Sequence, residues 1–188
     1  MTTLGTVRRS TSDLFLRRAL AVTGGALLVA LGAQAAIPLP MTPVPLTLQG
    51  PAVLVVGGLL GPALGASSMV LYLWLGAIGL PVFAPLGAPG LARLMGPTGG
   101  YLLAFPVAAA IVGQIVRDGR SWPRLAIALL LGLAAIYAGG IAQLAALGGD
   151  LSTAVRIGSL PFLVVDLCKL VIAGLVIRRL GPPTHALL

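Results

Sequence analysis

The stretch Leu160-Pro-Phe-Leu-Val-Val-Asp-Leu-Cys-Lys-Leu-Val-Ile-Ala-Gly-Leu-Val-Ile177 is long and apolar enough to cross a bilayer as a helix, and its only charged side chains are Asp166 and Lys169. Insertion scales assign each such charge a cost of roughly 2.5 to 3.5 kcal/mol near the membrane centre. At a spacing of three residues the two side chains share a helix face, so they can pair and also offer an acceptor and a donor to a buried polar ligand. The pair is predicted to be a binding site, with a purely structural ion pair as the alternative.

The composition of the whole chain supports a membrane location. Of its 188 residues, 58% are hydrophobic and only 9% are charged, and the mean hydropathy is +1.07. This apolar content excludes a disordered chain, and continuous runs rich in Ala, Leu and Gly exclude the alternating pattern of a membrane β-barrel. The sequence therefore predicts an all-α integral membrane protein with a single membrane domain over residues 1–188.

The net charge of +8 comes mainly from arginines that lie just outside the apolar runs. Basic residues in this position mark the cytoplasmic ends of membrane spans, so we interpret them as topology markers and predict no nucleic-acid partner. The residues in question are Arg8, Arg9, Arg17, Arg18, Arg117, Arg120, Arg124, Arg178 and Arg179.

The apolar run over residues 52–80 is interrupted by Gly61-Pro62, which permits either one long helix or two short ones joined by a turn. Only the hairpin places all the arginine clusters on the cytoplasmic side, so we predict two spans here. The sequence then predicts six spans with both termini in the cytoplasm, at approximately 19–37, 47–61, 63–80, 96–116, 125–147 and 158–177.

Three further features suggest binding or docking. The proline-rich segment 38–51 is predicted to be a stiff irregular lid or a plain connector. Arg93 has no acidic neighbour in sequence and precedes the glycine-rich residues 96–100, which suggests a carboxylate site, with an arginine at the lipid head groups as the alternative. The small residues Ala26 and Ala30 indicate a smooth face on the first helix, either for internal packing or for docking another membrane helix.

The side chains that catalysis would need are scarce. The one histidine is His185 in the tail, the four aspartates are scattered, and no phosphate-binding motif of the Gly-x-x-x-x-Gly-Lys-Ser/Thr type is present. We therefore predict no enzyme activity, no metal site and no cofactor, and expect a binding or conducting membrane subunit.

Four ordered motifs resemble the BioY family, the biotin-specific substrate-binding (S) components of energy-coupling-factor (ECF) transporters. The resemblance covers approximately residues 19–179. The motifs are Pro43-Val-Pro-Leu-Thr-Leu-Gln49, Tyr72-Leu-Trp-Leu-Gly-Ala-Ile-Gly-Leu-Pro-Val-Phe-Ala84, Gly96-Pro-Thr-Gly-Gly-Tyr-Leu102 and Pro161-Phe-Leu-Val-Val-Asp-Leu-Cys-Lys169.

This resemblance implies an S-component bundle of six helices in the bacterial cytoplasmic membrane, with a vitamin cavity that opens to the outside beneath two loops. It implies docking through Ala26 and Ala30 to a transmembrane coupling subunit that works with two cytoplasmic ATPases. ATP would be used by those partners, and the S component would topple in the membrane to carry its site inward.

The resemblance also implies biotin as the ligand. Asp166 is expected to accept from a ureido N–H, Lys169 to donate to the ureido carbonyl, and Arg93 to bind the valerate carboxylate. An S component for another small vitamin and a structural membrane subunit are the alternatives. Supporting contacts are expected from Gln49, Thr47, Tyr72, Thr98, Tyr101 and Tyr137.

Overall fold

The structure, a computed structural model, describes residues 11–117, 121–148 and 150–187, and this part of the chain is helical. The predicted all-α fold class is confirmed. Arg8, Arg9 and Arg120, three of the arginines behind the predicted topology, lie outside the described residues. The helices are α1 (Thr11–Gln34), α2 (Gln49–Ala77), α3 (Leu91–Met95), α4 (Gly99–Val116), α5 (Trp122–Gly148), α6 (Leu151–Gly158) and α7 (Leu163–Leu187).

The outer faces of these helices carry large apolar side chains. Leu31 on α1 is 71% exposed and Val164 on α7 is 74% exposed, and both would be unfavourable in water but are solvated by lipid chains. Within the described ranges, α1, α2, α4 and α5 are each long and apolar enough to span a membrane, and α6 with α7, bent by 53°, form a fifth candidate. The six crossings and the cytoplasmic termini remain predictions.

Helix α2 is a hairpin whose two halves lie side by side. The break is at Gly61, whose φ of 79° and ψ of 179° are outside the helical region, and Pro62 follows it. A straight helix would separate Gln49 from Tyr72 by roughly 35 Å, yet the side-chain amide of Gln49 donates to the Tyr72 hydroxyl. The turn predicted at Gly61-Pro62 is therefore present.

Close backbone contact holds the hairpin against α4. A Cβ atom on Gly57 would collide with the carbonyl oxygen of Ala109, so only glycine permits this separation of the two helices. Around the contact, Val53, Ala108 and Val112 are fully buried. Helix α4 packs in turn on α5, and α1 and α7 pack on α2.

Helix α1 turns its small-residue face inward. Ala26 and Ala30 are 2% and 9% exposed, and the neighbouring Gly25 lies against Ser68 and Val56 of α2. The prediction that Ala26 and Ala30 dock a coupling subunit is thus corrected, because the close approach that small side chains allow is made to this chain's own α2.

The segment before α2 is closed at its base by a single β bridge. The amide of Ile37 donates to the Leu46 carbonyl at 2.8 Å, and the amide of Leu46 donates to the Ile37 carbonyl at 2.9 Å. Residues 38–45 therefore form a short closed loop, which we call the proline loop, with prolines at 38, 40, 43 and 45.

The last helix begins later than the predicted span, and one short helix was not predicted. The span predicted at 158–177 begins only at Leu163, because Pro161 lacks the amide hydrogen needed to continue α6. The preceding α6 is capped by Asp150, whose pKa is lowered to about 2 by hydrogen bonds from Thr153 and Ser152. The segment before α4 contains the short helix α3, which periodicity over five residues does not reveal.

Replacing Gly57 by alanine is expected to destabilise the fold, because the added methyl group collides with the α4 backbone. Overpacking of this kind costs about 1–3 kcal/mol, measurable as a lower thermal unfolding midpoint in detergent. The matched control is Gly24→Ala on α1, where an added Cβ has no heavy atom within 4 Å, and the midpoint should not fall. Equal midpoints for the two variants would contradict the close-packing interpretation.

Candidate functional site

A cavity of about 80 Å³, which we call the inner cavity, lies where the start of α2, the start of α4, α5 and α7 meet. Much of its surface is apolar, but charged groups from α3 and α7 enter it. Its lining residues are Val44, Pro45, Leu46, Thr47, Gln49, Gly50, Pro51, Phe83, Ala84, Arg93, Thr98, Tyr101, Leu102, Phe105, Leu133, Ile136, Tyr137, Phe162, Asp166 and Lys169.

Asp166 and Lys169 form an ion pair on the first turns of α7. Lys169 Nζ lies 2.9 Å from Asp166 Oδ1, and the two side chains are only 12% and 17% exposed, respectively. The start of α7 at Leu163 brings both residues to the cavity, with the Asp166 amide bonded to the Phe162 carbonyl at 2.8 Å. The structure thus confirms the pairing predicted from their spacing.

Two other parts of the chain hold this pair in place. From α5, the Tyr137 hydroxyl donates to Asp166 Oδ2 at 2.7 Å. From the segment before α2, the Thr47 carbonyl accepts from Lys169 Nζ at 2.8 Å. Tyr137, predicted as a ligand contact, lines the cavity and also fixes the orientation of the carboxylate.

The pair still has capacity to bind a ligand. A carboxylate offers about four lone-pair positions and an ammonium group three N–H donors. Tyr137 and Lys169 occupy two positions on Asp166, and Lys169 uses two of its donors on Asp166 and Thr47. One donor on Lys169 and two acceptor positions on Asp166 therefore remain, which matches a ligand that carries a carbonyl next to an N–H.

Arg93 on α3 is 7% exposed and supplies the second cation of the cavity. One terminal nitrogen, Nη2, donates to the Ala84 carbonyl at 2.5 Å, while the buried Nε has no hydrogen-bond partner. No carboxylate neutralises Arg93 among the salt bridges of the described residues. The guanidinium is therefore available to an anionic ligand group, in agreement with the carboxylate site and against the lipid-facing alternative.

Gln49 and Tyr72 have different roles, although both were predicted to contact the ligand. Gln49 lines the cavity, and its side-chain oxygen is 3.3 Å from the Thr47 hydroxyl. Tyr72 is 0% exposed and is not part of the lining, so the structure places it behind the cavity wall. Its hydroxyl accepts from Gln49 and its ring packs edge-on against Phe83, so it supports the wall from behind.

The remaining predicted contacts, Thr98 and Tyr101, line the cavity at the start of α4. The Tyr101 hydroxyl donates to the Gly158 carbonyl at 2.7 Å and so ties α4 to the end of α6. Gln143 on α5 donates to the carbonyls of Leu94 and Gly96 and holds the α3–α4 connection in place.

Sequence analysis missed the apolar walls of the cavity. Phe83, Phe105 and Phe162 line it together with Leu133 and Ile136. Phe83 and Phe162 lie inside two of the quoted motifs, and aromatic residues make up only 5% of the chain. The scarcity of aromatic residues was the signal that could have identified these rings as lining residues.

A metal site was not predicted, and in the part of the chain that the structure describes no three His, Cys, Asp or Glu side chains come together. The polar groups that do converge suit an organic ligand that carries an N–H next to a carbonyl and has an anionic end.

The comparisons with known proteins agree on one family. A family model described as the BioY family matches residues 4–185. The probable biotin transporter BioY of Pyrococcus horikoshii is 43% identical over 153 residues, covering 81% of this chain and 89% of that protein. The biotin transporter BioY of Rhodobacter capsulatus is 39% identical over 174 residues, covering 83% and 88%.

One solved structure has the same fold. It is the crystal structure of the S-component for biotin from an ECF-type ABC transporter, with a TM-score of 0.81 and 28% sequence identity. The match covers 91% of this chain and 94% of that one. The bundle described above is therefore of the S-component type.

The ion pair can be tested for energetic coupling in ligand-free protein. Lys169→Met leaves the Asp166 charge without its partner, whereas Asp166→Asn with Lys169→Met removes both charges. We expect the double variant to unfold at a higher temperature than Lys169→Met alone, with a coupling energy of about 1–3 kcal/mol. Thermal unfolding of the wild type, both single variants and the double variant in detergent measures this. Additive effects would show that the two charges do not stabilise each other.

Proposed function

The chain belongs to the BioY family, and from this membership we propose that it binds biotin with high affinity and takes it up across the cytoplasmic membrane as the S component of an ECF-type ABC transporter. The observation that carries the proposal is the ion pair at the inner cavity, with one donor and two acceptor positions unused. Biotin presents the complementary group, a ureido ring with two N–H donors and one carbonyl.

In the proposed complex the ureido ring lies against α7. Asp166 accepts from a ureido N–H, and the third N–H of Lys169 donates to the ureido carbonyl. Tyr137 and Thr47 keep the two side chains in the required orientation, so the ligand does not have to reorganise them. The Phe and Leu side chains of the walls surround the apolar part of the bicyclic ring.

The carboxylate of the valerate chain is assigned to Arg93. The support for this assignment is a buried guanidinium at the cavity wall whose Nε has no hydrogen-bond partner. A carboxylate placed there satisfies that donor and neutralises the charge. The distribution of charge in the cavity, with a balanced pair at one place and a lone cation at another, fits a ligand with a neutral polar ring and an anionic tail.

Uptake needs partners that supply energy. We propose a transmembrane coupling subunit and two cytoplasmic ATPases, because the sequence has no phosphate-binding motif of its own. The chain itself would be neither an enzyme nor a cofactor-binding protein, and its place would be the bacterial cytoplasmic membrane. The inward orientation of Ala26 and Ala30 leaves other surfaces for the contact with the coupling subunit.

Asp166→Asn is expected to weaken biotin binding, because the neutral amide accepts less strongly and no longer compensates Lys169. Hydrogen bonds to charged groups contribute about 1.5–3 kcal/mol, so the Kd should rise about tenfold or more. Titration of purified protein with radiolabelled biotin measures it. Asp150→Asn, which keeps a residue that caps α6, is the control and should bind as the wild type does. An unchanged Kd for Asp166→Asn would remove the ureido assignment.

Arg93→Ala is expected to abolish the preference of the protein for biotin over biotin amide, which lacks the negative charge. The wild type should prefer biotin by about tenfold or more, the range of a charge-assisted hydrogen bond. Competition binding of the two ligands gives this ratio, which is insensitive to a general loss of affinity. Arg156→Ala, at an exposed arginine of α6 that does not line the cavity, is the control. If Arg93→Ala keeps the wild-type ratio, the carboxylate lies elsewhere.

A further inference from the structure

A second cavity adjoins the first at Arg93. We call it the outer cavity, and it has a volume of about 280 Å³. Pro45, Arg93 and Thr98 line both cavities, so the guanidinium lies at their boundary. The outer cavity is lined by Pro38, Leu39, Thr42, Pro43, Pro45, Leu86, Gly87, Ala88, Ala92, Arg93, Gly96, Pro97 and Thr98.

The outer cavity has exposed residues in its lining and is nearly uncharged. Its walls come from the proline loop on one side and from residues 86–97 on the other, and Ala88, Ala92 and Pro97 in its lining are exposed. Apart from Arg93, the lining has no charged side chain. Such a surface accepts an uncharged aliphatic chain and disfavours the burial of a second charge.

A ligand whose carboxylate reaches Arg93 therefore ends at the entrance to the outer cavity. An amide formed at that carboxylate keeps a carbonyl oxygen, which can still accept from the guanidinium, and directs its substituent into the second space. We propose that the protein also binds N-alkyl amides of biotin, with the alkyl chain in the outer cavity. This inference rests on the proposed function.

The test compares biotin, biotin amide and biotin N-pentylamide on the purified protein. The two amides both lack the negative charge, so the difference between them isolates the alkyl chain. We expect N-pentylamide to bind within about tenfold of biotin amide, or more tightly if the chain is desolvated in the outer cavity.

A variant that fills the outer cavity provides the second measurement. Ala92→Phe places a ring at its exposed wall and is expected to weaken N-pentylamide at least about tenfold while leaving biotin and biotin amide unchanged. Ala35→Phe, at an exposed alanine that lines neither cavity, is the matched control and should leave all three ligands unchanged. If Ala92→Phe no longer binds biotin, Ala88→Phe on the neighbouring loop replaces it.

The outcomes separate the two proposals. Biotin failing to bind the wild type contradicts the proposed function. If biotin binds, the outer-cavity proposal is overturned when N-pentylamide binds more than about tenfold more weakly than biotin amide. It is also overturned when Ala92→Phe weakens the binding of all three ligands alike. The same holds when Ala35→Phe raises the Kd of N-pentylamide as much as Ala92→Phe does.

Discussion

The hydrogen bonds of Lys169 organise the site, because an ammonium group in an apolar bundle needs a nearby negative charge and hydrogen-bond acceptors. Its Nζ bonds Asp166 on its own helix and the Thr47 carbonyl at the entrance to α2. Asp166 in turn accepts from Tyr137 on α5. Three parts of the chain that are distant in sequence are thus positioned by the same pair of charges. The same pair of charges lines the inner cavity.

Close helix packing holds the helices around that ion pair in fixed positions. The reversal at Gly61 and the backbone contact between Gly57 and α4 bring the start of α2 beside its own end. Tyr72 then holds Gln49 at the cavity wall, and the T-shaped contact with Phe83 fixes the Tyr72 ring. The polar groups at the cavity are therefore attached to packed helices, which keeps their positions well defined.

The sequence predicted those features that depend on strong local signals. A charge inside an apolar run and a Gly-Pro step inside a helix each have few physical solutions, so the pairing of Asp166 with Lys169 and the turn at Gly61 were predicted. The sequence did not predict which way the small-residue face of α1 points, since small residues permit close packing on any side. The apolar cavity walls were also missed, because in a membrane protein both the interior and the lipid-facing surface are apolar. Tyr72 was predicted to contact the ligand because the sequence does not reveal its hydrogen bond with Gln49. That bond forms only when the two halves of α2 fold against each other.

The bridge between Ile37 and Leu46 has a thermodynamic consequence for ligand capture. Ordering a flexible chain over a ligand costs about 1–2 kcal/mol of backbone entropy per residue, which would offset much of the binding energy. The proline loop is already closed at its base, and four of its positions have φ restricted by the proline ring. Most of its conformational freedom is lost when the chain folds. Less of the free energy gained from ligand contacts is then offset by the ordering of this loop.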